Sequence, residues 1–385
     1  MILLTLLQSP VSQYVSQHPV VATAGTPAPR TELITMTDDY LWFEGLPFPV
    51  IGYSYEVLKE AGSQFVIKDE DTVLVTYPKS GTNWLVEILC LIHSHGDTKW
   101  IQSVPTWERS PWIETDEGYK LLNEREGPRL MSSHLPFHLF PKSLFTSKAK
   151  VIYIMRNPKD VLVSGYYHWT MAKLCKQPES LEQYFQWFMQ GNVSYGSWFE
   201  HIRGWMSMRH RENVLLLSYE ELQKDPRSAI ERICQFLGKK LTPEELDSVL
   251  KNSSFQVMKQ NKMSNFEMVP EALFTRPFLI TRKGISGDWK NHLTVAQAEA
   301  FDKVYQEKMA GFPKGLFPWE WHTPCTQHNQ VCFTAGHPLP LPLPSFIPPW
   351  FIFKTPPNLF PFSFPASAYE IKCTTIDLLS LTYLT

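Results

Sequence analysis

Asp71-Thr-Val-Leu-Val-Thr76 runs straight into Tyr77-Pro78-Lys79-Ser80-Gly81-Thr82-Asn83-Trp84, after which Trp84, Leu85, Ile88, Leu89 and Ile92 recur at the spacing of one helix face. A short run of aliphatic and β-branched residues without polar alternation reads as a strand buried on both sides. The turn that follows is built of small residues, and the chain then enters a helix. Strand, small-residue loop and helix form the unit from which parallel α/β sheets are assembled.

Two more segments repeat the strand pattern, Lys150-Val-Ile-Tyr-Ile-Met155 and Asn213-Val-Leu-Leu-Leu-Ser218, and an apolar strand also precedes His134 in Arg129-Leu-Met-Ser-Ser-His134. Longer amphipathic stretches fill the gaps. Ser180-x-x-Gln183, Thr242-Pro-Glu-Glu245 and Thr294-x-x-Gln297 match capping boxes, the second with Pro243 at the first helical position, so helices are expected to start there. The pattern predicts an α/β fold, a single domain with a central, mostly parallel sheet flanked by helices, over residues 36–320.

Composition bounds what lies outside that domain. The 385 residues carry 36 Lys and Arg against 38 Asp and Glu, a formal charge of −2, so no global positive field points to nucleic acid or an anionic membrane surface. Any anion site must be local. Residues 321–385 hold 11 of the 31 prolines and four charged residues, including His337-Pro-Leu-Pro-Leu-Pro-Leu-Pro344. Proline at that density removes backbone donors, so the segment is expected to be a disordered extension, with a polyproline docking element as the alternative. Residues 1–35 also read as an extension expected to be disordered. Their apolar opening lacks a basic n-region, and Gln8, Ser9 and Pro10 cut it short of a signal peptide. No apolar run is long enough for a transmembrane helix. Six cysteines without a C-x-x-C pair fit a reducing compartment better than a disulfide framework or a zinc site.

Three segments carry the chemistry. In 77–84, amides at a helix start and Gly81 suit a phosphate, with Lys79 adding a movable positive point. The lysine precedes the glycine, so the order differs from the G-x-x-x-x-G-K-S/T of ATP and GTP hydrolases, and the same residues also make an ordinary turn. The strand at 150–155 delivers Arg156 at its C-terminal tip, and Asn157-Pro158-Lys159-Asp160 opens a helix bearing Ser164. Both can face one anion, or Arg156 can pair with a carboxylate while Ser164 caps locally. The third segment, Arg282-Lys283-Gly284-Ile285-Ser286-Gly287-Asp288-Trp289-Lys290, embeds G-x-x-G spacing among cations, either a phosphate clamp or a solvated basic turn.

Together these segments resemble the cytosolic sulfotransferase family, most closely its hydroxysteroid (alcohol) branch. Tyr77-Pro-Lys-Ser-Gly-Thr82 is similar to the family's P-loop-like 5′-phosphosulfate loop, Arg156-Asn-Pro-Lys-Asp-Val-Leu-Val-Ser164 to its 3′-phosphate motif, and Arg282-Lys-Gly284 with Gly287 to its C-terminal signature. The likeness runs from about Met36 to Glu320 and includes Trp42-Phe43-Glu44-Gly45, Trp107-Glu-Arg-Ser-Pro-Trp112 and Phe317-Pro-Trp-Glu320.

The resemblance implies 3′-phosphoadenosine 5′-phosphosulfate (PAPS) as donor and no metal. It assigns Lys79, Ser80, Gly81, Thr82, Asn83 and Trp84 to the 5′ end and adenine, and Arg156 and Ser164 to the 3′-phosphate. Tyr219, Ser253, Ser254, Phe255, Gln256, Val257, Met258, Arg282, Lys283 and Gly284 take the remaining donor positions. It further implies in-line transfer of a sulfuryl group to the hydroxyl of a steroid, bile acid or other apolar alcohol, with His134 as general base and Lys79 and Ser164 as the other catalytic residues. Ser132 stands where phenol-directed relatives usually carry lysine. Tyr53, Trp107, Trp112, Phe137, Tyr166 and Trp169 are the expected acceptor-pocket aromatics, and the loop from Phe266 to Thr281 is expected to cover them. Lys290-Asn-His-Leu-Thr-Val-Ala-Gln-Ala-Glu299 resembles the family's dimer-forming segment, which implies a homodimer in the cytosol. A phenol-directed enzyme, a nucleotide-phosphate kinase and a non-catalytic form impaired by its extensions are the competing readings.

Overall fold

The computed structural model describes residues 39–270, 272–275 and 283–322. All lie within Met1–Pro324, one of the two compact units into which the chain divides. The expected extension at 1–35, all of the expected extension at 321–385 beyond its first two residues, positions 271 and 276–281 of the expected covering loop, and Arg282 lie outside the described residues. The last described element is a 3₁₀ turn, Pro318–His322, which runs past the expected domain end at Glu320.

Four parallel strands form the sheet: β3 (Thr72–Thr76), β4 (Leu130–Ser133), β5 (Lys150–Met155) and β6 (Val214–Ser218), in the order β4-β3-β5-β6. Alternation along the strands sorts their side chains into two layers. Val73, Val75, Val151 and Tyr153 enter one apolar cluster, while Leu74, Ile152, Ile154 and Leu217 enter the other. A strand packed on both faces carries no polar register, which is why these segments read as unbroken apolar runs. Asp71 stands just before β3, where its carboxylate receives Arg129 Nε at 3.1 Å and Nη2 at 2.6 Å and so ties β3 to β4.

The helix after β3, Thr82–His93, is buried around most of its circumference: Val86, Glu87, Cys90 and Leu91 are covered as fully as Leu85, Ile88, Leu89 and Ile92. A single buried face was expected. The sheet covers one side, and the helices Lys99–Ser103, Thr106–Arg109 and Pro243–Asn252 cover the rest. Thr242 and Thr294 form complete capping boxes with Glu245 and Gln297, whereas Gln183 reaches back to the amide of Glu179, leaving Ser180 as a plain N-cap.

One element was not expected. β1 (Leu41–Phe43) and β2 (Leu46–Phe48) pair antiparallel across Glu44 and Gly45, both at positive φ, the geometry of a two-residue hairpin turn.

Candidate active site

The carboxyl ends of β3, β4 and β5 converge on one cavity of about 280 Å³. At the end expected from sequence to take the donor, Thr76 Oγ1 and Thr82 Oγ1 meet at 2.7 Å and close the base of the 77–81 loop. Lys79 (φ 70°) and Gly81 (φ 108°) are both left-handed. Gly81 is the N-cap of helix 82–93 and makes no side-chain cap bond, so amides of the first turn are left for a ligand. A Cβ at Gly81 would meet Tyr219 Cδ2 at 2.8 Å, which explains why only glycine fits.

Arg156 lies over the Tyr219 ring, 4.2 Å from its centroid. It donates to the Lys79 carbonyl at 3.0 Å and to the Ile285 carbonyl at 3.1 Å, joining the three sequence motifs into one wall. Asp160, from the same motif, accepts the amides of Gly287 at 2.7 Å and Trp289 at 3.0 Å. Burial is the main influence raising its carboxyl pKa, and Arg156 and the two amides oppose it. Among the described residues, Arg156 Nε and Ser80 Oγ are buried without a hydrogen-bond partner. Lys79 and Arg156 beside a helix start without a side-chain cap, with Arg156 Nε left without a partner, fit a phosphorylated nucleotide.

His134 stands where the donor end meets the acceptor end. Its Nδ1 lies 2.7 Å from the Thr76 carbonyl, which can only accept, so the proton sits on Nδ1 and Nε2 keeps its lone pair. Burial pushes its pKa down to about 3, with Lys79 adding to the effect and the Thr76 carbonyl opposing it. The imidazole is therefore neutral. Its backbone amide donates to Glu114 Oε1 at 2.7 Å, and its ring packs between Trp112, at 4.4 Å, and Tyr195, at 5.1 Å. Glu114 is fully buried, and burial pushes its carboxyl up to about 7.

The end expected to take the acceptor is lined by Tyr53, Trp112, Trp169, Leu174, Tyr195, Phe266 and Phe274, with His168 as a second imidazole. Tyr53, Trp112 and Trp169 are where they were expected. Trp107, Phe137 and Tyr166 do not line the cavity: Trp107 supports Phe266 from behind at 5.3 Å, Phe137 packs on Trp205 and Phe145, and Tyr166 packs on Tyr167 and Tyr184. Within the expected covering loop, Phe274 bridges to Ala172 and Thr275 donates to the Met171 carbonyl at 2.8 Å, which pins that part of the loop over the cavity.

Of the donor residues anticipated from sequence, Lys79, Gly81, Thr82, Asn83, Trp84, Arg156, Ser164, Tyr219, Phe255, Met258, Lys283 and Gly284 line the cavity. Ser80, Ser253, Ser254, Gln256 and Val257 do not. Ser253 and Ser254 turn the chain between two helices, and in Phe255–Gln260 the i, i+3 pair Phe255 and Met258 faces inward while Gln256 faces solvent.

The sulfotransferase-domain family matches residues 69–313. The chain belongs to the sulfotransferase family. Sulfotransferase 2A1 of Macaca fascicularis is 67% identical to it over 285 residues, 74% of this chain and 100% of the relative. The 3-beta-hydroxysteroid sulfotransferase of Cavia porcellus is 64% identical, covering 74% and 99%. Among solved structures, mouse sulfotransferase SULT7A1 complexed with PAP superposes with a TM-score of 0.60 at 30% identity, over 70% of this chain and 95% of that one. A retinol dehydratase at 23% identity, with 66% of this chain and 85% of that one covered, shares the fold at a TM-score of 0.61.

Residues of this sulfotransferase that sequence reasoning missed are Thr76, Glu114, Asp160 and Tyr195. Thr76 and Asp160 lie inside motifs already singled out and could have been found by asking what holds the histidine tautomer and the third loop. Tyr195 and Glu114 had no signal, because their roles depend on chain segments far apart in sequence.

Proposed function

We propose that this sulfotransferase moves the sulfuryl group of PAPS to the hydroxyl of a steroid, bile acid or other apolar alcohol. The observation that carries the reading is His134: a neutral ring, its Nδ1 proton engaged by the Thr76 carbonyl, lining an aromatic cavity beside the Lys79 loop. As the acceptor oxygen bonds to sulfur, its proton passes to His134 Nε2. The bond from sulfur to the bridging oxygen breaks, and the electron pair leaves with adenosine 3′,5′-bisphosphate. Lys79 meets the charge on that oxygen, a task an ammonium performs without a metal. Ser164 and Arg156 hold the 3′-phosphate, with Arg282 and Lys283 completing the clamp. The hydroxysteroid names of the relatives favour steroids over phenols.

The domain is taken as 36–320, matched in length by the 285-residue alignments, with the rest of the chain as extensions. Val295 is 76% exposed at the start of helix Val295–Lys308, which supports a self-complementary contact through Lys290–Glu299 and a homodimer. Among the described residues no helix is long and apolar enough to cross a membrane, and Cys90, Cys175 and Cys234 are free, which supports the cytosol as the site of action.

Transfer of labelled sulfate to a hydroxysteroid in the presence of chelator tests the reading. Turnover that survives chelation is expected. No sulfate transfer, with Mg²⁺-dependent phosphoryl transfer from a nucleoside triphosphate in its place, would favour the kinase alternative. Activity appearing only after removal of 1–35 and 321–385 would favour the form impaired by its extensions.

A further inference from the structure

We propose that Gln223 is a positioning residue for the donor end, whose side-chain amide holds residues 284–286 in the conformation that selects a nucleotide bearing a 3′-phosphate. The inference rests on the nucleotide reading above. Gln223 projects from helix Tyr219–Lys224 and touches the third motif twice: Nε2 donates to the Gly284 carbonyl at 2.6 Å, and Oε1 accepts the Ser286 amide at 2.9 Å. These partners fix the orientation of the amide, since a carbonyl only accepts and a backbone amide only donates.

Between the two contacts, the Ile285 carbonyl accepts from Arg156, and beyond them Asp160 takes the amides of Gly287 and Trp289. Side chains from two other segments thus occupy consecutive backbone groups of this loop. Gly284 is left-handed, at φ 67°, and its missing Cβ makes room for the Phe255 ring, which lines the cavity. Gly284, Ile285 and Lys283 line the cavity beside Arg156, which bonds the Ile285 carbonyl, so a shift of the loop moves Lys283 and breaks one of the contacts that hold Arg156 in place. Only a group with one donor and one acceptor side by side satisfies both contacts. Glutamine does; an ionised glutamate offers two acceptors and repels the Gly284 carbonyl.

The test measures binding of adenosine 3′,5′-bisphosphate and adenosine 5′-phosphate to the full chain by calorimetry, as the ratio of the two affinities. Gln223→Ala is expected to lower the wild-type ratio by about tenfold, the scale of one or two lost hydrogen bonds. Gln223→Glu is expected to do the same at pH 8. Its ratio, normalised to wild type at each pH, should recover as pH falls and the carboxyl takes up a proton, because the acid form again donates to Gly284 while accepting from Ser286. A merely structural lesion lowers both affinities equally and shows no such recovery. Equal losses for the two nucleotides, an unchanged ratio in Gln223→Ala, or no recovery in Gln223→Glu would each overturn the inference while leaving the nucleotide reading in place. A wild-type protein that does not prefer the bisphosphate would overturn that reading and this inference with it.

Discussion

The donor and acceptor ends of the cavity are made in different ways. The donor end is made of backbone: a left-handed turn at Lys79 and Gly81, a helix start without a side-chain cap, and a loop whose amides and carbonyls are held by Arg156, Asp160 and Gln223. The acceptor end is made of side chains: the rings of Tyr53, Trp112, Tyr195, Trp169 at the end of helix Pro158–Trp169, and Phe266 and Phe274, meeting only in three dimensions. Backbone geometry at a strand tip needs particular residues in a particular order, so it leaves a motif. A wall of rings needs only area and shape, and many sequences supply those.

His134 joins the two ends, and the largest effects are expected there. Lys79→Ala and His134→Ala should each lower kcat by about 10²–10⁴-fold, the range for removing a charge stabiliser or a general base. His134→Ala should do so with near-normal affinity for adenosine 3′,5′-bisphosphate. The pH profile sharpens the point. If His134 is the base, the neutral imidazole is the active form, and because burial holds its pKa far below the ordinary 6.5, activity should be lost only as pH falls well below that value. An acid limb of kcat/KM centred near 6.5 would contradict the burial of the base.

Arg156→Ala isolates the donor end. It should cost about 10- to 100-fold in affinity for the bisphosphate and far less for adenosine 5′-phosphate, since a charge-assisted contact is lost. Equal losses measured by calorimetry would show that Arg156 is a structural tie between Lys79 and Ile285 alone. Gly81→Ala perturbs the same end through backbone: the φ of 108° and the approach of Tyr219 predict a loss of about 1–3 kcal/mol in stability, measured by denaturant unfolding, with weaker nucleotide binding.

Trp112→Leu belongs to the other side of the comparison and should be the mildest. It should raise KM for a hydroxysteroid by a few-fold, because a ring packed at 4.4 Å on His134 is replaced by a smaller apolar group, while nucleotide affinity stays unchanged. A matching loss in nucleotide affinity would mean that the two ends are not separable.

The same contrast explains what could be read in advance. The strands at 72–76, 150–155 and 214–218 were legible from their apolar runs to within a residue, and two of three capping boxes formed in full. The hairpin across Glu44-Gly45 was missed because its strands are only three residues each. Lys79, Arg156 and Gly284, which line the cavity, could be singled out in advance because each sits in a motif. Trp107 and Phe137 were wrongly assigned to the cavity because aromatic content alone does not say which way a ring faces, and Tyr195 and Glu114 gave no local sign of their contact with His134.

The central claim is that His134, neutral and fixed by Thr76, accepts the proton of an alcohol as sulfate is transferred. The most direct measurement is single-turnover transfer of labelled sulfate from bound PAPS to a hydroxysteroid, comparing wild type with His134→Ala at equal nucleotide occupancy. The account predicts transfer in the wild type and a rate reduced at least a hundredfold in the variant, the lower end of the range for a general base. Comparable single-turnover rates in the two proteins would contradict it.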